Sequence, residues 1–300
     1  MQEDETEFYT RVGKYEAFEQ NFDNYYKEFT GEQAISETRI LLSRYIVQTY
    51  RRSALIIAGL SQPLLWLLVF GGLFEDMTFS KNALVPYLEL LGSGMIVFTA
   101  FTSSLNAGLP IMFDREFGFF NRLLAAPLAS RFSIVISAFF FIVLVTLFEI
   151  SIIAALTQLK GKISYFFDYT NIFCFILLLL LVSMVTMISI LISFIMPGHI
   201  ELLAFILLTT LPVLFCSSIL VPVMYMPDWL AIVVSFNPLT YVVEAIRYTS
   251  FHYASPISLC TREIDIGLIH VSLTDIFIFL LFCNYFLFSY SRRFFSRKLD

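Results

Sequence analysis

The chain has 300 residues, of which 58% are hydrophobic and only 14% charged, and its mean hydropathy is +0.78. A soluble domain keeps roughly a quarter of its residues charged; here residues 171–200 carry no Asp, Glu, Lys or Arg at all, which excludes a water-soluble globular fold. The net charge of −5 is also local, because ten acids oppose three bases within the first 37 residues, a balance of −7 that leaves +2 for the rest.

Residues 1–33 form an acidic tail. It has neither the apolar core of a secretory signal nor the Arg/Ser-rich, acid-poor character of a transit peptide, and it is expected to be a solvated, disordered extension. Residues 34–53 read as an amphipathic helix. Ile35, Thr38, Leu42, Ile46 and Thr49 fall on one side, and Glu37, Arg44, Gln48, Arg51 and Arg52 on the other. An Arg-edged helix beside a hydrophobic span is expected to lie in the membrane interface.

In hydrocarbon every backbone amide must be satisfied internally, so long apolar runs are read as spanning helices. Six are expected: residues 54–73 (interrupted by Pro63), 88–112, 132–159, 171–196, 200–223 and 273–290. The second is rich in small residues, among them Gly92, Gly94, Ser103, Ser104 and Gly108, which permit close helix packing. Pro197-Gly198-His199 reads as a tight turn between the fourth and fifth, and a basic tail with Arg292, Arg293, Arg297 and Lys298 follows the sixth. With both termini inside, inner segments carry 14 Lys and Arg and outer segments 5, which favours that orientation.

The chain contains no GxxxxGK[ST] phosphate loop. Its three histidines (His199, His252, His270) are scattered near span ends, and its four cysteines form no CxxC and no disulfide framework. No metal site or enzymatic constellation is indicated. Glu149 stands alone within the third span. An ionisable group there marks a functional candidate unless it lies near the outer boundary, within reach of water.

Two segments carry more information. Residues 113–131 mix Asp114, Arg115, Glu116 and Arg122 with bulky apolar side chains. Residues 226–247 hold two short apolar helical stretches broken at Asn237-Pro238. Too short to span separately, these read as a re-entrant pair, with Glu244 and Arg247 spaced to pair on one helix face.

On these two segments the chain resembles the permease subunit of type-2 ATP-binding-cassette exporters, which include drug and surface-polysaccharide exporters. The resemblance covers about residues 34–298. Its most specific part is the signature before the last span, matched here by Pro238, Leu239, Thr240, Tyr241 and, after Val242–Ile246, Arg247; Met226-Pro227 and Cys216-Ser217 match upstream, and Val213 departs from the pattern. Asp114-Arg115-Glu116, Arg122-Leu123-Leu124 and Pro127 resemble the family's stretch between spans two and three. The wording of this loop and the abundant phenylalanine are most similar to cyanobacterial and plastid-encoded members.

The resemblance implies an all-α membrane protein of six transmembrane helices, with an N-terminal interfacial helix and a re-entrant pair before the last span. It implies two copies of this permease with a separate ATPase subunit that binds ATP and Mg, no cofactor in this chain, and a lipid bilayer but no nucleic acid as surroundings. Asp114, Arg115, Glu116 and Arg122 would contact the ATPase. Pro227, Pro238, Tyr241, Glu244 and Arg247 would form the outer gate, in a plastid or cyanobacterial membrane. An ion-coupled secondary transporter using Glu149 is the alternative reading, with a non-transporting membrane scaffold third.

Overall fold

The computed structural model describes residues 31–51, 54–74, 87–125, 132–160, 169–251, 263–266 and 269–299. The acidic tail up to residue 30, the loop with Glu75, Asp76 and Lys81, and Pro127, Arg131, Lys162, His252, Cys260 and Arg262 lie outside the described residues. In chain order the helices are α1 (Gly31–Arg51), α2 (Ala54–Leu73), α3 (Tyr87–Leu105), α4 (Gly108–Glu116), α5 (Phe119–Ala125), α6 (Phe132–Lys160), α7 (Tyr169–Ile195), α8 (His199–Phe215), α9 (Asp228–Ser235), α10 (Pro238–Phe251) and α11 (Leu273–Leu299). A short 3₁₀ turn, Val223–Tyr225, precedes α9.

Among the described residues, four stretches are long and apolar enough to cross a membrane: Tyr87–Glu116, Ser133–Leu159, Ile172–Ile195 and Leu273–Phe295. The bent pair α9–α10 makes a fifth if counted as one span, and Gly59–Leu73 and His199–Phe215 are shorter apolar helices. The expected fifth span, 200–223, is therefore cut to 17 residues. Pro212 lies in its last turn, the Cys216 N–H closes on the Pro212 carbonyl at 2.8 Å, and the chain then turns.

The expected span 88–112 is instead a helix that runs on to Glu116, interrupted at Asn106-Ala107. Ser189 of α7 repairs the interruption: its Oγ accepts from the Gly108 N–H at 3.0 Å and donates to the Leu105 carbonyl at 2.5 Å. A Cβ at Gly108 would lie 2.7 Å from the Ser189 carbonyl oxygen, so the missing side chain is what lets α4 touch α7. The last helix is also longer than expected and carries Arg292 and Arg293 exposed near its end.

Among the described residues the helical architecture has one exception. β1 (Glu263–Ile266) and β2 (Ile269–Ser272) form an antiparallel hairpin, with Glu263 opposite Ser272 and Ile266 opposite Ile269. Ser272 then starts α11 through a reciprocal cap: its Oγ accepts from the Asp275 N–H at 3.2 Å, and the Asp275 carboxylate accepts from the Ser272 N–H at 3.1 Å.

The core centres on α3, whose side chains from Leu90 to Leu105 are all buried. Leu91, Met95 and Phe98 pack with Leu177 and Leu181 of α7 and Val242 and Val243 of α10. A second cluster lies at the other end, where Leu41 and Tyr45 of α1 meet Ile111, Phe120, Ile134, Phe194 and Phe295. The buried side of α1 is thus Leu41 and Tyr45, while Ile35 and Ile46 of the expected apolar stripe are exposed beside Ile40, Val47 and Tyr50. That outward face therefore carries apolar bulk that the rest of the described bundle does not cover. Ile200, Leu203, Leu207 and Leu208 expose apolar bulk along α8 in the same way.

Candidate coupling and gate sites

Two polar constellations occupy opposite ends of the stretch α3–α4. At one end, α4 stops at Phe117 and Gly118. Gly118 has φ +73, the left-handed conformation that closes a helix and that glycine adopts without strain. Three successive charges precede it. The Asp114 carboxylate accepts from both terminal nitrogens of Arg44, one at 3.2 Å, and from the Tyr45 hydroxyl at 3.1 Å. The Arg44 guanidinium also lies 4.4 Å from the ring centres of Tyr45 and Phe119. Burial works against the Arg44 charge, but its bond to Asp114 and the nearby acidic groups outweigh that and hold it above its ordinary pKa. Burial and the Asp114 charge push the Tyr45 phenol up, so it stays a donor.

Arg115 donates to the Ser193 carbonyl in the last turn of α7 and sits 5.6 Å from the Phe194 ring. Glu116 pairs with His199, the first residue of α8, whose ring lies 5.5 Å from that of Phe113. Asp114, expected as an exposed contact, is buried at 7% exposure, and Arg115 is half-buried. Both face the protein because they belong to the final turn of a helix packed against α7 and α8 and reached by the Arg44 and Tyr45 side chains of α1. Arg122 and Phe117 remain exposed, Phe117 at 74%.

At the other end, α9 and α10 meet at 95°. Pro227 immediately precedes α9 and Pro238 opens α10, the positions where a missing N–H costs least. Asn237 organises the bend. Its Oδ1 caps α10 by accepting from the Leu239 N–H at 3.1 Å, and its Nδ2 donates to the Cys216 carbonyl at 2.9 Å, at the end of α8. The Tyr241 hydroxyl crosses the bend to the Ser235 carbonyl at 2.7 Å. Arg247 is 3% exposed. It donates to Glu244 Oε1 at 3.0 Å, to the Ile219 carbonyl at 3.0 Å and to the Leu90 carbonyl at 3.2 Å. One side chain thereby joins α10, the turn after α8 and the start of α3. A Cβ on Gly94 would lie 2.4 Å from that same Ile219 oxygen, so glycine lets α3 come this close.

Glu149 is shut off from solvent by the surrounding helices. It is 1% exposed, and its Oε2 has no partner among the described residues. It occupies the space left by Gly59, where a Cβ would lie 2.5 Å from Oε1. Among the described residues no three His, Cys, Asp or Glu are placed to hold a metal.

Residues 36–251 match the model of the ABC-2 type transporter family. The chain belongs to that family. It is 47% identical to a protein of Pyropia yezoensis over 71% of this chain and 74% of that one. It is 45% identical to a Porphyra purpurea protein over 78% and 82% of the two chains, and 42% identical to a Cyanophora paradoxa protein over 83% and 88%. All three carry the name transport permease ycf38, and these relatives are plastid-encoded. The permease is thus a membrane component of an ABC transporter, and the ion-coupled alternative is not favoured.

Arg44, Tyr45, His199 and Asn237 complete the two sites and were not singled out as site residues by the sequence reading. Asn237 before Pro238 carried a usable signal, since Asn-Pro marks a capped helix start. Arg44, Tyr45 and His199 carried none, because their partners lie about 70 to 80 residues away in sequence.

Proposed function

We propose that the chain is the membrane-spanning half of an ATP-driven exporter. Two copies work with a separate ATPase that binds ATP and Mg, in a plastid membrane, with both termini on the stromal side. In this reading α2 and α8 complete a set of six spans, and α9–α10 form a re-entrant pair that gates the outer side. The exposed α8 face is available to a second copy or to lipid. The observation that carries the reading, beside family membership, is the tip at Gly118: a rigid helix end presents exposed Phe117 and Arg122 on the side where Lys and Arg accumulate.

The test is retention of an ATPase bearing GxxxxGK[ST] on the affinity-purified permease. Arg122→Glu combined with Phe117→Ala is expected to release it while leaving the thermal unfolding midpoint of the permease unchanged, since exposed groups contribute little to stability. Full retention by the double variant would remove the tip as the docking surface.

A further inference from the structure

We propose that Asp114, Arg115 and Glu116 are positioning residues that fasten three separate helices, α1, α7 and α8, to α4, so that a displacement of the Gly118 tip reaches all three together. The proposal rests on the exporter reading for what displaces the tip, and on geometry for the fastening itself. Successive residues of an α-helix are rotated by about 100°, so three consecutive charges point in three directions. Each has a different helix waiting: Asp114 meets Arg44 and Tyr45 of α1, Arg115 meets Ser193 of α7, and Glu116 meets His199 of α8.

The signs match the helix ends they meet. The last turn of a helix leaves carbonyls without intrahelical partners and carries partial negative charge. The Ser193 carbonyl lies in the last turn of α7, and the group that reaches it is a guanidinium. The first turn of a helix carries partial positive charge, and the group placed at the start of α8 is the Glu116 carboxylate. Arg115 and Glu116 therefore straddle the Pro197-Gly198 turn, one on each side. Exchanging the two would put like charge against each helix end.

On α1 the grip extends across the tip. Arg44 holds Asp114 before Gly118 and lies against Phe119 after it, so α1 is attached to α4 and α5 alike. Interfaces of this kind switch between discrete arrangements and do not deform continuously. A tip held at three points moves its holders as one body.

The experiment uses the full permease–ATPase complex with the four native cysteines replaced by serine. Spin-label pairs are placed at Ala125→Cys with Ile46→Cys, reporting α5 to α1, and at Ala125→Cys with Ile200→Cys, reporting α5 to α8. Distances are read by pulsed electron resonance in nucleotide-free and vanadate-trapped states. Both distances are expected to be the same in the two states. Glu116→Gln with His199→Ala should make only the α5–α8 distance state-dependent, and Asp114→Asn with Arg44→Gln only the α5–α1 distance, with the ATPase still bound. Distances in the unsubstituted pairs that change with nucleotide, or variants that change neither distance, would overturn the proposal. The same pairs are measured in the permease alone, where the distance distributions should be narrow and should broaden selectively in each variant. Equal widths in all would also overturn it, whereas loss of the ATPase from every sample would count against the exporter reading only.

Discussion

The two ends of the α3–α4 stretch solve the same task in opposite ways. At the Gly118 end, three charges hold one helix each; Asp114 is buried, but its partner Arg44 and the Glu116 carboxylate stay partly wet, with side chains 26% and 39% exposed. At the bent end, a single arginine holds three segments and its side chain is 4% exposed. A distributed, half-solvated set loses one contact at a time, and water can replace what is lost. A buried hub loses everything together and leaves its acceptors dry. The difference suits one end to movement and the other to a fixed frame.

The sharpest way to break this comparison is at Arg247. Arg247→Ala strips a donor from the Leu90 and Ile219 carbonyls and leaves Glu244 without its cation. Removing one partner of a buried pair costs about 3–5 kcal/mol. A steep loss of folded protein in fluorescence-detected size-exclusion chromatography is expected. Arg247→Lys should recover little, because one ammonium cannot reproduce a planar fork serving three acceptors. A variant that purifies and melts like the parent would mean that the bent end is not organised around this residue.

Asp114→Asn probes the other end and should cost less, roughly 1–3 kcal/mol, since Arg44 remains partly hydrated and the amide still accepts from Tyr45. The expected sign is local: faster backbone hydrogen exchange across Gly31–Arg51 with a modest shift of the melting midpoint. A loss as large as that of Arg247→Ala would show that the Gly118 end also hangs on a single dry contact, and the contrast between the ends would fail.

Most of the helical order was legible in the sequence, because runs such as 132–159 and 171–196 have no other stable form in hydrocarbon. They appear as Phe132–Lys160 and Tyr169–Ile195. Where reading fell short, local polarity stood in for environment. Charges at 114–116 were read as contacts for a separate ATPase, because the sequence alone cannot show that Arg44 and His199 wait on other helices. The end of α8 was missed for a related reason. Residues 216–223 are apolar enough to extend a span, but their carbonyls are used sideways, by Asn237 at Cys216 and by Arg247 at Ile219. The pairing of Arg247 with Glu244 was readable, being a three-residue spacing on one helix; its other two partners, 157 and 28 residues away, were not.

The smallest effect is expected at Glu149, which belongs to neither end and so sets the scale for a buried polar group that holds nothing together. Its carboxyl is lodged against Gly59, while the Ser103 hydroxyl bonds that of Thr146 at 2.9 Å. Glu149→Gln keeps the shape and replaces one oxygen that already lacks a partner. A change of under about 1 kcal/mol follows, as for other volume-conserving swaps. If Glu149 served as an ion-coupling carboxylate, the same change would abolish function at full stability, because an amide cannot switch between charged and neutral forms at neutral pH. ATPase activity of the reconstituted complex and the melting midpoint, measured together, separate the cases. Both unchanged would make Glu149 a packing group that tells the two ends apart from the middle. Lost activity at an unchanged midpoint would instead put a working site in the membrane, between α2, α3 and α6.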